Sequence, residues 1–323
     1  MLNGHGMASS TATAHRQPRV AARPRPRPVV APVAPAPNAA RVVLRACRPR
    51  QWLKNLVVVL APAAAGALAH RGADGQVLGA FVAFCMLASA TYLVNDVRDR
   101  ESDRRHPRKR LRPIAAGELS PRRALRVAAL LAAAGIGVSV AVRPALGAVA
   151  VCYLALTLSY SFVWRDVFIA DIVMVAAGFL VRAAAGGVAT DVRLSKSFLL
   201  VTSACAVFLV AGKRYAEIRA RAGRAPTRTT LRRYSPQGLR LLCLGAGAVG
   251  ALAYGGWAFT RAAPGPWIEL SLVPFALWLG RYTTLLGSGA GEVPEELILR
   301  DPPLLLIGAA WAILFLAGLH GAQ

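Results

Sequence analysis

The chain has 323 residues, of which 55% are hydrophobic and only 17% are charged, and its mean hydropathy is +0.46. Because a soluble protein of this size carries about 25% charged residues, the composition disfavours a soluble protein and indicates a membrane protein. The net charge of +24 suits anionic lipids or phosphorylated substrates. We do not expect nucleic-acid binding, since no soluble folded domain is evident. The five cysteines show no CxxC or Cys/His spacing, which argues against a zinc site.

The first forty residues are rich in Pro, Ala and Arg. Prolines at this density prevent a helix, and few apolar residues are available for packing. No uninterrupted apolar stretch resembles a cleavable signal peptide. We therefore expect a disordered basic tail over residues 1–40, able to contact lipid headgroups, and a transmembrane domain over residues 41–323.

Apolar segments follow one another through the rest of the chain. A helix needs about 20 apolar residues to cross a bilayer, and most of these segments approach that length. We therefore predict an all-α polytopic membrane protein with about nine transmembrane helices. The predicted segments are 53–69, 76–95, 124–142, 144–163, 167–189, 197–212, 240–260, 267–286 and 302–319.

The basic residues indicate how these segments are oriented. Most of the 39 Lys and Arg residues fall before the first segment or in alternate connections. Cytoplasmic loops carry the excess of Lys and Arg in membrane proteins. We therefore expect a multi-pass membrane protein with its N-terminus in the cytoplasm and its C-terminus outside.

The second apolar segment ends in an acidic stretch on the predicted cytoplasmic side. At about 100° per residue, Asp96, Asp99 and Asp103 fall on one face of a helix, and Asn95 borders that face. Three carboxylates on one face repel one another unless a cation lies between them. A Mg²⁺ ion bound to these four residues would relieve the repulsion and would bridge to a diphosphate. The alternative is a solvated helix end paired with neighbouring arginines.

Basic and aromatic side chains surround this acidic stretch. Arg and Lys bind phosphate groups that a metal leaves uncovered, and the arginines that follow the aspartates are partly explained by topology alone. Ionisable residues inside apolar spans are costly unless they are paired or face a polar cavity. Asp171 and Arg182 are too far apart on one helix to touch, so each needs another partner. The candidate substrate-binding residues are Lys54, Asn55, Tyr92, Lys109, Arg112, Tyr160, Arg182 and Lys213.

Several motifs in this order resemble the UbiA superfamily of intramembrane prenyltransferases, over roughly residues 45–320. The acidic motif and the segment after it carry the general resemblance. The other motifs are similar to the decaprenyl-phosphate phosphoribosyltransferase branch. One departure is that the second acidic motif of the superfamily is incomplete, with only Asp166 and Asp171 near its place. The motifs are Asn95-Asp96-x-x-Asp99-x-x-x-Asp103, Lys109-Arg110-x-Arg112-Pro113, Arg48-Pro49-Arg50-Gln51-Trp52-x-Lys54-Asn55, Arg182-Ala183-Ala184-Ala185-Gly186-Gly187 and Gly212-Lys213-Arg214-Tyr215-Ala216-Glu217.

The resemblance implies that residues 41–323 are a catalytic domain of the bacterial plasma membrane, built as a helical bundle around a central cavity that faces the cytoplasm. In that branch the donor is phosphoribosyl pyrophosphate, the acceptor is a polyprenyl phosphate, Mg²⁺ is the cofactor and the product serves cell-wall arabinan synthesis. Asp96, Asp99 and Asp103 would be the catalytic residues, and a homo-oligomer is possible. The alternatives are an aromatic prenyltransferase acting on a quinone precursor and, from another class, a transporter for an anionic solute.

Overall fold

The computed structural model describes residues 38–220, 230–260, 266–287 and 294–320. The chain from Asn38 onward forms one compact unit, and none of the described residues lies in a β-strand. The predicted tail falls mostly on residues 1–37, which lie outside the described residues. The α-helices are α1 Ala39–Cys47, α2 Leu60–Ala64, α3 Ala73–Arg98, α4 Arg100–Arg104, α5 Pro121–Val142, α6 Pro144–Phe162, α7 Ala170–Ala189, α8 Lys196–Arg219, α9 Pro236–Thr260, α10 Trp267–Leu286, α11 Pro294–Arg300 and α12 Pro302–His320.

Seven of the described helices are long and apolar enough to cross a membrane, namely α3, α5, α6, α7, α8, α9 and α12. This agrees with the predicted all-α membrane protein, but the count of nine is not confirmed. The predicted segment 267–286 forms the continuous helix α10, which is not among the seven. The predicted segment 53–69 is broken into a 3₁₀ helix Pro49–Val59, the short α2 and a turn at Gly66 with φ of 71°.

The bundle packs around three large groups of buried side chains, two of which contain pairs of aromatic rings. In one, Phe84 of α3 lies against Tyr153 of α6, with 5.1 Å between ring centroids. In the other, Phe208 of α8 lies against Tyr282 of α10, with 5.4 Å between centroids. The first group surrounds α3 and therefore fixes the helix that carries the acidic residues.

Gly186 allows α7 and the 3₁₀ helix Pro49–Val59 to approach closely. A Cβ atom at this glycine would lie 1.7 Å from the carbonyl oxygen of Val58, which no side chain can tolerate. The close approach brings the 3₁₀ helix, with Asn55, against the middle of α7. The close packing of these two helices therefore requires glycine at position 186 of the Arg182–Gly187 motif.

Charged side chains concentrate at the end of the bundle where α3 and α6 end and α5 and α7 begin, which we call the polar end. There, the Ser120 side chain accepts a hydrogen bond from the Arg123 amide, and Pro121 occupies the first turn of α5. Both features favour a helix start at this point. The chain between α3 and α5 is thereby held across the polar end, beside the acidic residues.

Candidate active site

The acidic residues predicted to share a helix face lie at the polar end, where α3 and α4 are separated only at Asp99. The helical hydrogen bonds continue through this point, because the Asp99 amide donates to the Asn95 carbonyl and the Asp103 amide to the Asp99 carbonyl, each over 2.8 Å. Asp96 and Asp103 are both buried. The Arg112 guanidinium donates to Asp96 over 3.1 Å and to Asp103 over 2.6 Å, so these two carboxylates do share a face.

Two further arginines pair with the same face. Arg165, between α6 and α7, donates to both carboxylate oxygens of Asp99, over 3.0 and 2.7 Å. Arg48 donates to Asp96 and lies over the Tyr92 ring, 5.2 Å from its centroid. Burial lowers the pKa of Arg48, and the charge of Asp96 opposes this lowering. For Arg165, burial acts to lower the pKa, but the hydrogen bond to Asp99 and the nearby negative charges together raise it.

These contacts make one group, which we call the carboxylate–arginine cluster. It joins four separate stretches of the chain at the polar end, and each aspartate is neutralised by an arginine. Its members are Asp96, Asp99, Asp103, Arg48, Arg112 and Arg165.

The cluster bears directly on the predicted magnesium ligands. No three acidic, histidine or cysteine side chains of the described residues lie close enough together to bind one cation. However, two buried oxygens, Asn95 Oδ1 and Asp96 Oδ2, lack a hydrogen-bond partner in the described part of the chain. Buried acceptors are normally satisfied, and Mg²⁺ prefers oxygen ligands. These two oxygens are therefore suitable ligands for a hard cation such as Mg²⁺. The predicted ligand set as a whole stays a prediction.

Arg182 lies in the middle of α7, buried among neutral partners. Its Nε donates to Asn55 Oδ1 over 2.8 Å, its Nη2 to the Tyr153 hydroxyl over 2.5 Å, and its Nη1 to the Gly178 carbonyl over 2.9 Å. The guanidinium also lies over the rings of Tyr153 and Phe179, 4.7 and 5.7 Å from their centroids. Arg182 and Asn55 are thus in contact, and they lie farther from the polar end than the cluster does.

Asp171, the other ionisable residue predicted inside this helix, is fully buried and forms a second group of charges. One of its oxygens accepts from Arg214 Nε of α8 over 2.9 Å, and the other accepts from the Tyr234 hydroxyl. Arg214 also donates to Glu217 over 2.9 Å and to the Tyr160 hydroxyl over 3.4 Å. The two ionisable residues of α7 have separate partners, as their spacing predicts.

The structure does not bring all the predicted binding residues into one site, and Arg182 with Asn55 is one separate pair. Tyr92 and Arg112 lie at the carboxylate–arginine cluster, whereas Tyr160 lies in the group around Asp171. Lys54, in the middle of the 3₁₀ helix, donates to Gln51 over 2.5 Å. Lys109 and Lys213 are half-buried, in the α4–α5 connection and near the end of α8. Their roles stay predictions.

Sequence reasoning missed Arg48 and Arg165 as partners of the aspartates. Both were visible, the first in the motif before the first apolar segment and the second as the one basic residue between segments 144–163 and 167–189. Their contacts to Asp96 and Asp99 join residues 48 and 66 positions apart. Helical periodicity carries no information over such separations; the only available signal was that both fall on the predicted basic side.

An apolar cavity of about 420 Å³ is lined by residues of α2, α7 and α8, together with aromatic side chains of α9, α10 and α12. Phe179 lines it and also contacts Arg182, so the cavity approaches the buried arginine. The walls are mainly aliphatic and aromatic side chains, which suit a hydrocarbon chain. They include Val57, Leu60, Phe179, Leu209, Tyr254, Trp257, Phe275, Trp311 and Phe315.

The sequence is similar to known proteins over most of its length. Residues 57–298 match the UbiA prenyltransferase family. The chain is 42% identical over 287 residues to the decaprenyl-phosphate phosphoribosyltransferase of Corynebacterium glutamicum, covering 86% of each chain. It is 41% identical over 283 residues to that of Mycobacterium tuberculosis, covering 86% of this chain and 94% of the relative.

The fold has solved counterparts. A UbiA homologue from Archaeoglobus fulgidus, bound to GPP and Mg²⁺, superposes with a TM-score of 0.65 at 17% identity and covers 87% of this chain and 99% of its own. At that identity the likeness concerns the fold alone. The helices, the match to the family over most of the chain and the similar relatives agree. The family predicted from the motifs is confirmed: the chain is a multi-pass membrane protein that belongs to the UbiA prenyltransferase family.

Proposed function

We propose that the protein transfers the 5-phosphoribosyl group of phosphoribosyl pyrophosphate to a polyprenyl phosphate, with decaprenyl phosphate as the expected acceptor. The observation that carries the proposal is that one bundle holds both a carboxylate–arginine cluster and an apolar cavity of about 420 Å³. The names of relatives at 41 and 42% identity support phosphoribosyl transfer to decaprenyl phosphate, whereas the choice of donor rests on the resemblance. The product would serve cell-wall arabinan synthesis, as the resemblance implies.

The cluster suits a water-soluble donor with phosphate at both ends. The side chains of Arg48, Arg112 and Arg165 are 27, 27 and 25% exposed, so a phosphate arriving from water can reach them. The planar guanidinium matches phosphate oxygens in pairs. When the donor binds, these arginines would exchange part of their bonding from carboxylate to phosphate. Lys54 and Lys109 would bind the remaining phosphate oxygens.

The apolar cavity suits the isoprenoid tail of the acceptor. Burying hydrocarbon against aliphatic and aromatic walls contributes roughly 25 cal/mol per Å², and it needs no specific polar contact. Phe179 joins the cavity to the polar interior, because it lines the cavity and contacts Arg182. The phosphate end of the lipid would therefore lie toward the donor, with its tail in the cavity.

The residues at the cluster also determine how a metal would be held. Asn95 and Asp96 each offer a buried oxygen without a hydrogen-bond partner in the described part of the chain. Asp99 and Asp103 would offer more once Arg165 and Arg112 turn toward phosphate. When bound there, Mg²⁺ supplies neutralisation of the negative charge on the diphosphate leaving group.

The transfer forms one bond and breaks one. An oxygen of the lipid phosphate attacks C1 of the ribose, the C1–O bond to the diphosphate breaks, and its electron pair leaves with the diphosphate. Because the lipid phosphate is already an anion, no side chain has to remove a proton. The residues of this chain therefore act by holding the two substrates in line and by stabilising the developing charge.

The test is an assay of the purified protein in detergent with radiolabelled phosphoribosyl pyrophosphate, polyprenyl phosphate and Mg²⁺. We expect label to move into the lipid extract, and we expect a chelator to stop the transfer. A parallel assay with prenyl diphosphate and 4-hydroxybenzoate addresses the aromatic prenyltransferase alternative. Product in that assay alone would reject the proposal, and so would anion uptake into proteoliposomes with no chemical change.

We also propose that the N-terminus and the polar end face the cytoplasm of a bacterial plasma membrane and that the C-terminus lies outside. The distribution of basic residues supports this orientation. A periplasm-active reporter fused after Gln323 should be active, and the same reporter inserted at residue 224 should be silent. Activity at both positions would contradict the orientation.

A further inference from the structure

Two buried arginines in neighbouring helices have different partners. Arg214 of α8 meets two carboxylates, those of Asp171 and Glu217, each over 2.9 Å. Arg182 of α7 meets none: every acceptor that the described residues offer it is neutral, namely the Asn55 amide, the Tyr153 hydroxyl and a backbone carbonyl. Its positive charge therefore has no compensating anion within the described chain, although only 7% of the residue is exposed.

An uncompensated charge at this depth is costly. A buried ion without a counter-ion loses its hydration and gains no charge pairing in return, and ionisable residues inside spans are retained at functional positions. Tyr153 and Phe179 offset part of the cost through their rings. The hydrogen bonds to Asn55, Tyr153 and Gly178 offset more of it, and a bound anion would offset the remainder.

The guanidinium also has donors to spare. An arginine carries five N–H groups, and the bonds to Asn55, Tyr153 and Gly178 account for one on each nitrogen. Each terminal nitrogen of Arg182 thus keeps one N–H without an acceptor in the described part of the chain. Two such donors in one plane match two oxygens of a phosphate.

The position of Arg182 indicates which substrate phosphate would accept from these two donors. It contacts Phe179, which lines the apolar cavity, and Asn55, which lies two residues before Val57 of the same wall. Asn55 also contacts Cys85 of α3. At about 1.5 Å per residue, Cys85 and Asp96 differ by roughly 16 Å along α3, a separation on the scale of a diphosphate joined to a pentose.

We infer that Arg182 binds the phosphate group of the lipid acceptor, at the junction between the apolar cavity and the carboxylate–arginine cluster. This assignment rests on the proposed function for the identity of the lipid. It makes Arg182 the residue that distinguishes a polyprenyl phosphate from the uncharged alcohol. It also sets how deep the lipid phosphate lies, and so positions it for attack on the donor.

The test compares a matched pair of short lipids, farnesyl phosphate and farnesol. Binding to the full chain in detergent is followed by tryptophan fluorescence, because Trp257 and Trp311 line the cavity. We expect the wild type to prefer the phosphate by about 10- to 100-fold, the range for a charged hydrogen-bonded contact. Arg182→Gln should reduce this preference to about twofold and leave the affinity for farnesol unchanged.

Arg193 provides the matched control, since it also lines the cavity but is exposed and lies after α7. Arg193→Gln should keep the wild-type preference. The inference is overturned if Arg193→Gln, rather than Arg182→Gln, removes the preference, because the lipid would then lie in the reverse direction. An equal loss of affinity for both lipids in Arg182→Gln would overturn it too, since that is the signature of a purely structural residue.

Two further measurements keep the test decisive. If Arg182→Gln does not fold, Arg182→Lys retains the charge but not the fork, and it should raise the acceptor KM several-fold without moving the donor KM. A rise in the donor KM alone would assign Arg182 to the ribose 5-phosphate and overturn the inference. A wild type that prefers farnesyl phosphate but transfers no phosphoribosyl group would reject the proposed function and still support this assignment.

Discussion

The group around Asp171 and the carboxylate–arginine cluster use the same chemistry, but only the first is complete. Both oxygens of Asp171 accept hydrogen bonds, from Arg214 and from Tyr234, and the residue is fully buried. In the cluster, Asp96 Oδ2 has no partner among the described residues, and Arg112 is partly exposed. A satisfied buried pair stabilises one arrangement of helices, whereas an unsatisfied, accessible one retains capacity for a ligand.

Tyr234 completes the hydrogen bonding of Asp171 in the first group. Burial, together with the hydrogen bond to Asp171, raises the pKa of Tyr234, so its hydroxyl stays a donor at neutral pH. That hydroxyl also accepts from the Ile169 amide over 2.8 Å, which ties the start of α7 to the chain before α9. The group around Asp171 therefore acts as a structural clamp beside the cluster.

The largest effect on turnover is expected from Asp96→Asn, which removes one negative charge from the carboxylate–arginine cluster. Loss of a carboxylate that helps hold a metal costs several kcal/mol of transition-state stabilisation, so turnover should fall about 1,000-fold. The unfolding temperature should change little, because Asn still accepts hydrogen bonds and the arginines can reach water. Initial rates at saturating substrates and thermal unfolding in detergent measure the two quantities.

Glu101→Gln is the control for this variant. Glu101 belongs to α4 but is exposed. Its ion pair with Arg104 is long, at 3.4 Å, and lies at the surface. We expect its turnover to stay within twofold of the wild type, as for most surface substitutions. Equal losses in both variants would show that net charge, rather than the position of Asp96, determines activity.

Asp171→Asn should have the opposite pattern, a loss of stability with catalysis retained. Breaking a buried ion pair costs about 3–5 kcal/mol, and the loss here should be toward or below the lower value because Glu217 still contacts Arg214. Unfolding followed by circular dichroism in detergent measures the change. The rate per folded molecule should remain near the wild-type value.

Asp191→Asn is the matched control for the clamp. Asp191 also pairs with an arginine, Arg143, over 2.9 Å, but its side chain is 80% exposed, so stability should hardly change. If Asp171→Asn folded as well as Asp191→Asn and yet lost its activity, the clamp would have to be counted as part of the active site.

A smaller effect, confined to donor binding, is expected from Lys109→Ala. Losing one charged contact to a phosphate costs about 1.5–3 kcal/mol, which corresponds to a KM for phosphoribosyl pyrophosphate raised by about 10- to 100-fold. The acceptor KM should hardly move, because the lipid is held elsewhere. Saturation curves for each substrate with the other held high give both constants.

Arg110→Ala tests whether Lys109 matters by position or only by charge. Arg110 is the adjacent residue and is exposed, whereas Lys109 is half-buried. We expect both KM values of Arg110→Ala to match the wild type. Equal increases in the two variants would reduce Lys109 to one basic residue among several.

Sequence periodicity predicted the long helices well and a broken segment poorly. The segment predicted at 144–163 is α6, Pro144–Phe162, because its apolar run begins at a proline that favours the first helical turn. The segment predicted at 53–69 is not one helix. Hydropathy does not register that Gly66 adopts a positive φ or that residues 49–59 wind as a 3₁₀ helix.

The candidate site shows the same boundary between local and long-range information. The shared face of Asp96 and Asp103 follows from helical geometry and is present. That Arg165 neutralises Asp99, and that Asn55 holds Arg182, depends on how distant helices pack. Residue type predicted that these groups need partners, but only the fold determines which partners they have.

The smallest effect is expected at a third kind of ion pair, one that is partly exposed. Arg281 of α10 donates to Asp301 over 2.8 Å, with 40% of the arginine side chain exposed, and Asp301 also accepts from the Leu304 amide at the start of α12. Hydrogen bonding to Arg281 lowers the pKa of Asp301 below its usual value. A carboxyl group with a lower pKa in the folded state adds stability above its unfolded-state pKa, and this is lost as the pH falls through the folded-state pKa.

The comparison of wild type with Asp301→Asn isolates this contribution, because Asn keeps the cap on α12 and removes only the charge. At neutral pH the wild type should unfold at a slightly higher temperature, since exposed pairs contribute little. The difference should shrink toward zero as the pH falls below about 4, the usual pKa of an aspartic acid. Arg300→Gln, which breaks only a distant contact of 3.9 Å to Glu296, should show no difference at neutral pH. If the gap between wild type and Asp301→Asn stayed constant with pH, the charge of this pair would contribute nothing. Measurable stabilisation by pairing would then be confined to the buried clamp.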